Sequence, residues 1–308
     1  MGTPAFAVPS LRAMAAEPDF RPLLVVTGPD KPRRSKHAEP EPTPVKRAAM
    51  ELSLPVYETD EVKSSDFAAM VASCAPEVIV VAAFRILPPE VYTRATLGAF
   101  NLHASLLPAY RGAAPVNWAV INGETETGVT TFFLQQSVDT GSILLDERVA
   151  IGPDERADEL VERLADTGAG LVIRTLRQIA DGSAVPRLQN DAEASRAPKL
   201  TRENTRIEWN RPVKAVHDFV RGLAMKPTAW TTWGGKSLKI FSARPLSGFA
   251  GDHLVPPGTL SMESGLLAVR CLDGWLELLT IQVEGKKMMP VSEFTKGLRS
   301  ELLQEPLL

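Results

Sequence analysis

The chain has 308 residues, 44% of them hydrophobic and 23% charged, with a formal net charge of −3. This is an ordinary globular composition, long enough for two domains, and its apolar runs, such as residues 78–84, are far too short to span a bilayer. No secretory leader is expected, and two cysteines (Cys74, Cys271) and four histidines (His37, His103, His217, His253) without ligand spacing point to reduced cytoplasmic thiols and no metal.

In chain order, residues 21–28, 76–83, 97–103 and 128–134 each contain a short apolar, β-branched run and are expected as strands. Residues 9–16, 45–54, 66–74 and 115–122 fall between such runs and read as helices. Strands alternating with helices predict an α/β fold with a doubly wound, mostly parallel sheet. Ligands of such sheets bind beyond the carboxyl ends of the strands, which is where Asn101 and His103 fall. A long helix is expected over 154–179, with Leu160, Leu164, Leu171, Val172 and Ile179 near one face. Pro153 and Gly182 suit its ends, and Gly168 and Gly170 allow a break. Residues 185–204 turn polar around Pro186 and Pro198 and read as an extended linker. Beyond it, a helix over 211–223 and short strands at 230–233, 237–241, 266–270 and 275–281 predict a small β-rich domain. The expected division is a first domain over 1–184, the linker, and a second domain over 205–308.

Charge is unevenly spread. Residues 205–308 carry 13 Lys and Arg against 10 Asp and Glu, and the remainder carries 21 against 27. A mildly basic tail on an acidic body fits a nucleic-acid partner, although net charge alone does not announce one. Residues 27–45 form a loop, because Pro29, Pro32, Pro40, Pro42 and Pro44 exclude a helix. Residues 31–47 hold six basic side chains, Lys31, Arg33, Arg34, Lys36, Lys46 and Arg47, against Glu39 and Glu41. The ordinary reading is a solvated charge run. The functional one is neutralisation of phosphates.

The most informative segment is Asn101-Leu-His103-Ala-Ser-Leu-Leu-Pro108, followed 31 residues later by Asp139-Thr-Gly141. On a strand, residues two apart point to one face, so Asn101 and His103 project together. An amide and an imidazole on one face can hold an acyl oxygen and move a proton. Asp139 can orient the imidazole or take a proton itself. Each residue also has a structural reading: Asn101 as a strand-end cap, His103 as a satisfied structural histidine, Asp139 as a turn residue before Gly141.

Taken together, Asn101–Pro108, Tyr110-Arg-Gly-Ala-Ala-Pro115, Gly128-Val-Thr130 and Val138-Asp-Thr-Gly141 resemble the formyltransferases that use 10-formyltetrahydrofolate. The likeness is closest to the branch that formylates methionyl-initiator tRNA. Gly2-Thr-Pro-Ala-Phe-Ala-Val-Pro-Ser10, Pro42-Thr-Pro-Val-Lys46, Ala197-Pro-Lys-Leu200 and Glu284-Gly-Lys-Lys287 extend it over nearly the whole chain. The resemblance implies a catalytic first domain and an OB-like β-barrel tail that binds tRNA. It implies a monomeric enzyme without metal, and Asn101, His103 and Asp139 as catalytic residues. It places Phe84, Arg85, Ile86 and Leu87, with Ser105, Leu106, Leu107 and Pro108, beside the folate, and Arg33, Arg34 and Lys36 on the tRNA acceptor arm. Formyl transfer needs a donor facing the oxyanion, which Asn101 supplies, and a group that carries the amine's proton to folate N10, which is the work of His103.

Four departures accompany the resemblance. Leu134-Gln-Gln-Ser-Val138 stands where many of these enzymes carry an acidic pair, and Lys226-Pro-Thr keeps only the proline of an aromatic or proline-rich turn. Residues 35–39 replace a more glycine-rich stretch. A short apolar strand also precedes the Gly-Thr-Pro of these enzymes, found here as Gly2-Thr3-Pro4. With the chain opening at Met1, the sheet is expected to lack that central strand and to leave its neighbours with unpaired backbone groups. Rival readings are formyl transfer to a small amine (glycinamide ribonucleotide or an amino sugar nucleotide), formyltetrahydrofolate hydrolysis, and noncatalytic RNA binding. The basic loop and the tail argue for a macromolecular acceptor.

Overall fold

Capping and proline placement start the helices of the first half of the chain. Thr43 accepts from Lys46 N (3.1 Å) with Pro44 at the first helical position, and Ser64 accepts from Phe67 N (3.2 Å). A computed structural model describes residues 1–32, 40–249, 251–252, 254–263, 265–297 and 303–308. Arg33, Arg34 and Lys36 lie outside the described residues. In chain order the elements are α1 (Val8–Ala16), β1 (Val25–Thr27), α2 (Pro44–Glu51), β2 (Val56–Glu58), α3 (Ser65–Ser73), β3 (Val78–Ala82), α4 (Pro89–Tyr92), β4 (Gly98–His103), β5 (Arg111–Gly112), α5 (Pro115–Ile121), β6 (Glu126–Phe133), β7 (Ile143–Ala150), α6 (Ala157–Ala180) and β8 (Arg196–Ala197). They continue with α7 (Val213–Leu223), β9 (Ala229–Trp233), β10 (Lys236–Leu246), β11 (Leu260–Glu263), β12 (Leu266–Arg270), β13 (Trp275–Val283), β14 (Met289–Pro290) and α8 (Val291–Phe294).

The chain forms two compact units. The first comprises Met1–Pro115, Glu126–Ala150 and Val161–Ala197. In it β1 pairs with β2 and β3 with β4, all parallel, while β6 and β7 extend the sheet antiparallel beyond β4. The expected α/β sheet is therefore present, with β2 and β7 added to the strands legible beforehand. Strand β7 escaped because Asp146-Glu147-Arg148 interrupts its apolar run. At the sheet edge those charges pair with Arg187, Arg174 and Glu126, which blunts an otherwise open edge. Helix α6 runs unbroken through its two glycines. A Cβ on Gly168 would lie 2.7 Å from Leu102 Cδ2, so this glycine lets the helix sit close against β4. The buried Thr131 and Thr175 hydroxyls join β6 to α6 at 2.8 Å.

A gap divides the sheet of this unit. Among the described residues, the backbone bonds between β1 and β3 are all relayed by Met1 and Gly2. Gly2 N donates to Val26 O (3.0 Å), Ala82 N to Met1 O (3.0 Å) and the Met1 ammonium to Val80 O (2.6 Å). Beyond that point a slot of about 330 Å³ lies between Leu24 and Val26 on one side and Val78 and Val80 on the other, with Ser10, Leu97 and Leu176 also lining it. Among the described residues the buried Ser10 hydroxyl has no hydrogen-bond partner. Burial pushes the Met1 amino group down to about 5.

The second unit comprises Val116–Thr125, Ile151–Leu160 and Pro198–Leu308. Its antiparallel sheet has the order β11-β12-β13-β10-β9, with β14 also on β13. Irregular register at Ile240, Ser242 and Ala243 bends β10, so one long strand serves both β9 and β13. Val216, Val220 and Leu223 of α7 pack with Leu238, Ile240, Leu267, Leu276 and Ile281 in a single core. This is the β-rich domain anticipated after residue 205.

The segment expected as an extended linker is extended but not free. Arg187 exchanges backbone bonds with Ile143, and β8 pairs with β5. This segment, up to Ala197, therefore belongs to the first unit, and the chain passes into the second unit for the last time at Pro198.

Candidate active site

Strand β4 carries Asn101 and His103 on one face. Asn101 lies opposite Val81 and Phe132, and His103 opposite Thr130. After β4 the chain folds into a tight turn held by its own motif residues. Ser105 Oγ donates to Ala109 O (2.6 Å), Thr130 Oγ1 donates to Ser105 O (2.7 Å), and Leu107 N donates to Thr130 Oγ1 (3.1 Å). The turn brings Tyr110, at φ 60, back over the strand end, so that the Tyr110 carbonyl meets His103 Nε2 at 2.9 Å. A carbonyl only accepts, so Nε2 carries the hydrogen and Nδ1 keeps the lone pair of the neutral ring. His103 is 6% exposed and packs edge-on against Phe132. Among the described residues the Asn101 amide makes no side-chain hydrogen bond, so it is available to a ligand.

Asp139 arrives from the loop after β6. Its Oδ2 accepts from Gly112 N (2.9 Å) and stands 4.0 Å from His103 Nδ1. That separation is too long for a hydrogen bond and suits a bridging water. The ring is thus oriented by the Tyr110 carbonyl, while the carboxylate faces its free nitrogen. Asp139 adopts a left-handed φ of 57. Gly141 follows where a Cβ would come within 1.7 Å of Phe133 O, a place that admits only glycine. The Asn101, His103 and Asp139 singled out in the sequence are therefore brought together at the end of β4.

The pattern for Formyl transferase matches residues 3–176, and that for Formyl transferase, C-terminal domain matches residues 199–299. The chain belongs to the formyltransferase family. It is 60% identical to the methionyl-tRNA formyltransferase of Chlorobium chlorochromatii over 303 residues, 98% of this chain and 96% of the relative. It is 56% identical to that of Chlorobium luteolum over 308 residues, 100% of this chain and 98% of the relative. A solved N-formyltransferase from Helicobacter canadensis, in complex with folinic acid and dTDP-3-aminofucose, shares the fold. Its TM-score is 0.63 at 19% identity, covering 90% of this chain and 96% of that one.

Within this formyltransferase, the other residues singled out occupy different settings. Phe84 is half-buried, Arg85 is exposed 3.9 Å from Asp60, and Ile86 is 65% exposed. Leu87 is buried with Phe67 and Val91, so only its backbone is left for a ligand. Ser105 is buried and bonded within its turn. Leu106 covers Gly128, and Leu107 packs with Phe132 and Ile143. The Leu107-Pro108 peptide is cis. Of the basic residues flanking the loop, Lys46 is engaged by Asp30 and Glu58, both at 2.6 Å, and those two hydrogen bonds raise its pKa. Arg47 pairs with Glu41 at 3.3 Å. Sequence reasoning missed the residues that brace the site from behind. Ser195 Oγ accepts from Tyr110 N (2.9 Å), Ser195 O accepts from Arg111 N (2.9 Å), and Gln189 binds the Asp139 loop. Their one signal was the Ala197-Pro-Lys-Leu200 likeness just downstream. No helix among the described residues is long and apolar enough to cross a membrane, and no metal-binding cluster occurs among them.

Proposed function

We propose that this chain transfers the formyl group of 10-formyltetrahydrofolate to the amino group of methionyl-initiator tRNA. The observation that carries this reading is similarity at 55–60% identity to methionyl-tRNA formyltransferases over nearly the whole of both chains. Asn101, His103 and Asp139 carry the chemistry in this reading. The amine attacks the formyl carbon, and the Asn101 amide N–H stabilises the oxyanion. His103 Nδ1, left with its lone pair by the Nε2–H bond to Tyr110 O, takes the amine's proton. Asp139, 4.0 Å away, stabilises the resulting imidazolium, which then protonates the departing folate nitrogen. Residues 84–87 and 105–108 border the folate, and the loop with Arg33, Arg34 and Lys36, together with the tail unit, holds the tRNA.

One assay tests the proposal. The chain is incubated with formyl donor and, separately, with methionyl-initiator tRNA, uncharged tRNA, glycinamide ribonucleotide, an amino sugar nucleotide, or water alone. Formyl transfer confined to the charged tRNA is expected. Turnover with a small amine or water and none with methionyl-tRNA overturns it.

A further inference from the structure

Asp139 sits in a left-handed backbone conformation on a loop whose polar backbone needs outside support. That support comes from one side chain 50 residues downstream. Gln189 Nε2 donates to both Asp139 O (2.9 Å) and Gly141 O (2.8 Å). Its Oε1 is in turn gripped by Arg111, from Nε at 3.0 Å and Nη2 at 2.7 Å, and Arg111 Nη2 also reaches Asp191 (2.8 Å). Arg111 is part of the same turn whose Tyr110 carbonyl orients His103 and whose Gly112 N–H holds the Asp139 carboxylate. Gln189 therefore ties together, through one amide, the segment that orients the base and the segment that presents the carboxylate. The amide is polarised by a guanidinium on its oxygen, which strengthens its N–H donors.

We propose that Gln189 is a positioning residue, with Arg111 as its orienting partner, that sets the distance between the Asp139 carboxylate and His103 Nδ1. The inference rests on the proposed roles of those two residues. Gln189 touches neither reacting atom in this account. Its effect falls on kcat, because misplacement of a proton-transfer pair by about 1 Å costs up to roughly a hundredfold in rate while leaving substrate binding alone.

Two variants test this. Gln189→Met keeps the length of the side chain and removes both donors. Gln189→Glu keeps the Arg111 pairing and also removes them, which guards against a packing defect in the first. Each is expected to lower kcat by about tenfold to a hundredfold, with KM for both substrates within about twofold. The 15N shift of His103 Nδ1, followed at fixed pH by histidine-labelled NMR among the four histidines, is expected to change in both variants as the carboxylate facing that nitrogen drifts away. An unchanged kcat and an unchanged His103 Nδ1 shift in both variants overturn the proposal, as does a rise in KM alone. Wild-type chain inactive on methionyl-tRNA would refute the proposed function instead, and the His103 Nδ1 shift would still decide the role of Gln189.

Discussion

His103 reaches its setting through a backbone carbonyl, which leaves Asp139, offered by the sequence as orienter or proton acceptor, facing the other ring nitrogen. With Nε2–H bound to Tyr110 O, the nitrogen facing Asp139 is the one free to accept a proton. His103→Ala and Asn101→Ala are each expected to lower kcat by roughly 10² or more with melting temperature little changed. Asp139→Asn is expected to be similarly damaging, since an amide cannot stabilise an imidazolium by charge. Steady-state kinetics alongside thermal melts checks all three, and near-wild-type turnover in any of them removes that residue from the chemistry. A second histidine titrates against the fold. Burial, opposed by Asp218 and Asp154 and reinforced by Arg221 and Lys214, lowers the pKa of His217 below its ordinary 6.5. In the window between the folded value and 6.5 the unfolded chain binds the extra proton, so stability rises with pH through that window and is complete above 6.5. Melting temperatures are expected to drop as pH falls below 6.5, and His217→Gln to flatten that part of the slope.

At the level of elements, the basic loop is anchored where it meets α2. Lys46 sits between Asp30 and Glu58, and the Thr43 cap also bonds Thr27 Oγ1 at 2.8 Å across to β1. Lys46 is therefore a structural cation, and the count of bases open to phosphate is smaller than the sequence count of six. Replacing Arg33, Arg34 and Lys36 with Ala is expected to weaken binding of initiator tRNA and to flatten its logarithmic salt dependence by up to about three units. Filter binding across a salt series reads both. An unchanged slope would return the loop to a solvated charge run.

At the scale of the molecule, the slot beside Met1 interrupts the sheet of the first unit. Strands β1 and β3 run alongside it and, among the described residues, only Met1 and Gly2 relay bonds between them. An unpaired buried backbone group costs about 1–3 kcal/mol. Appending five or so apolar, β-branched residues ahead of Met1 is expected to fill the slot as a parallel strand and raise the melting temperature. It also replaces the buried amine, whose pKa near 5 against an ordinary 8.0 makes stability rise with pH between those values. The extended chain is expected to lose that rise. Equal melting curves for the two forms at every pH would show that the slot does not accept a strand.

Much of this was legible from residues alone. The apolar period of 154–179 foretold the buried face of α6, and the spacing of Asn101 and His103 foretold their shared strand face, because both follow from backbone geometry. The motifs around Ser105, Tyr110, Gly112, Thr130 and Asp139 were visible as strings, and the structure explains them as one another's hydrogen-bond partners. Only the tertiary structure decided which nitrogen of His103 is free, that Lys46 is neutralised, and that Gln189 and Ser195 brace the site. The bracing by Gln189 and Ser195 depends on pairings between residues 50 and 85 positions apart, set by how the segment at 187–197 lies against the turn. A polar, irregular segment has no periodicity to announce such a role, because its partners are single backbone groups that only the folded chain brings within reach.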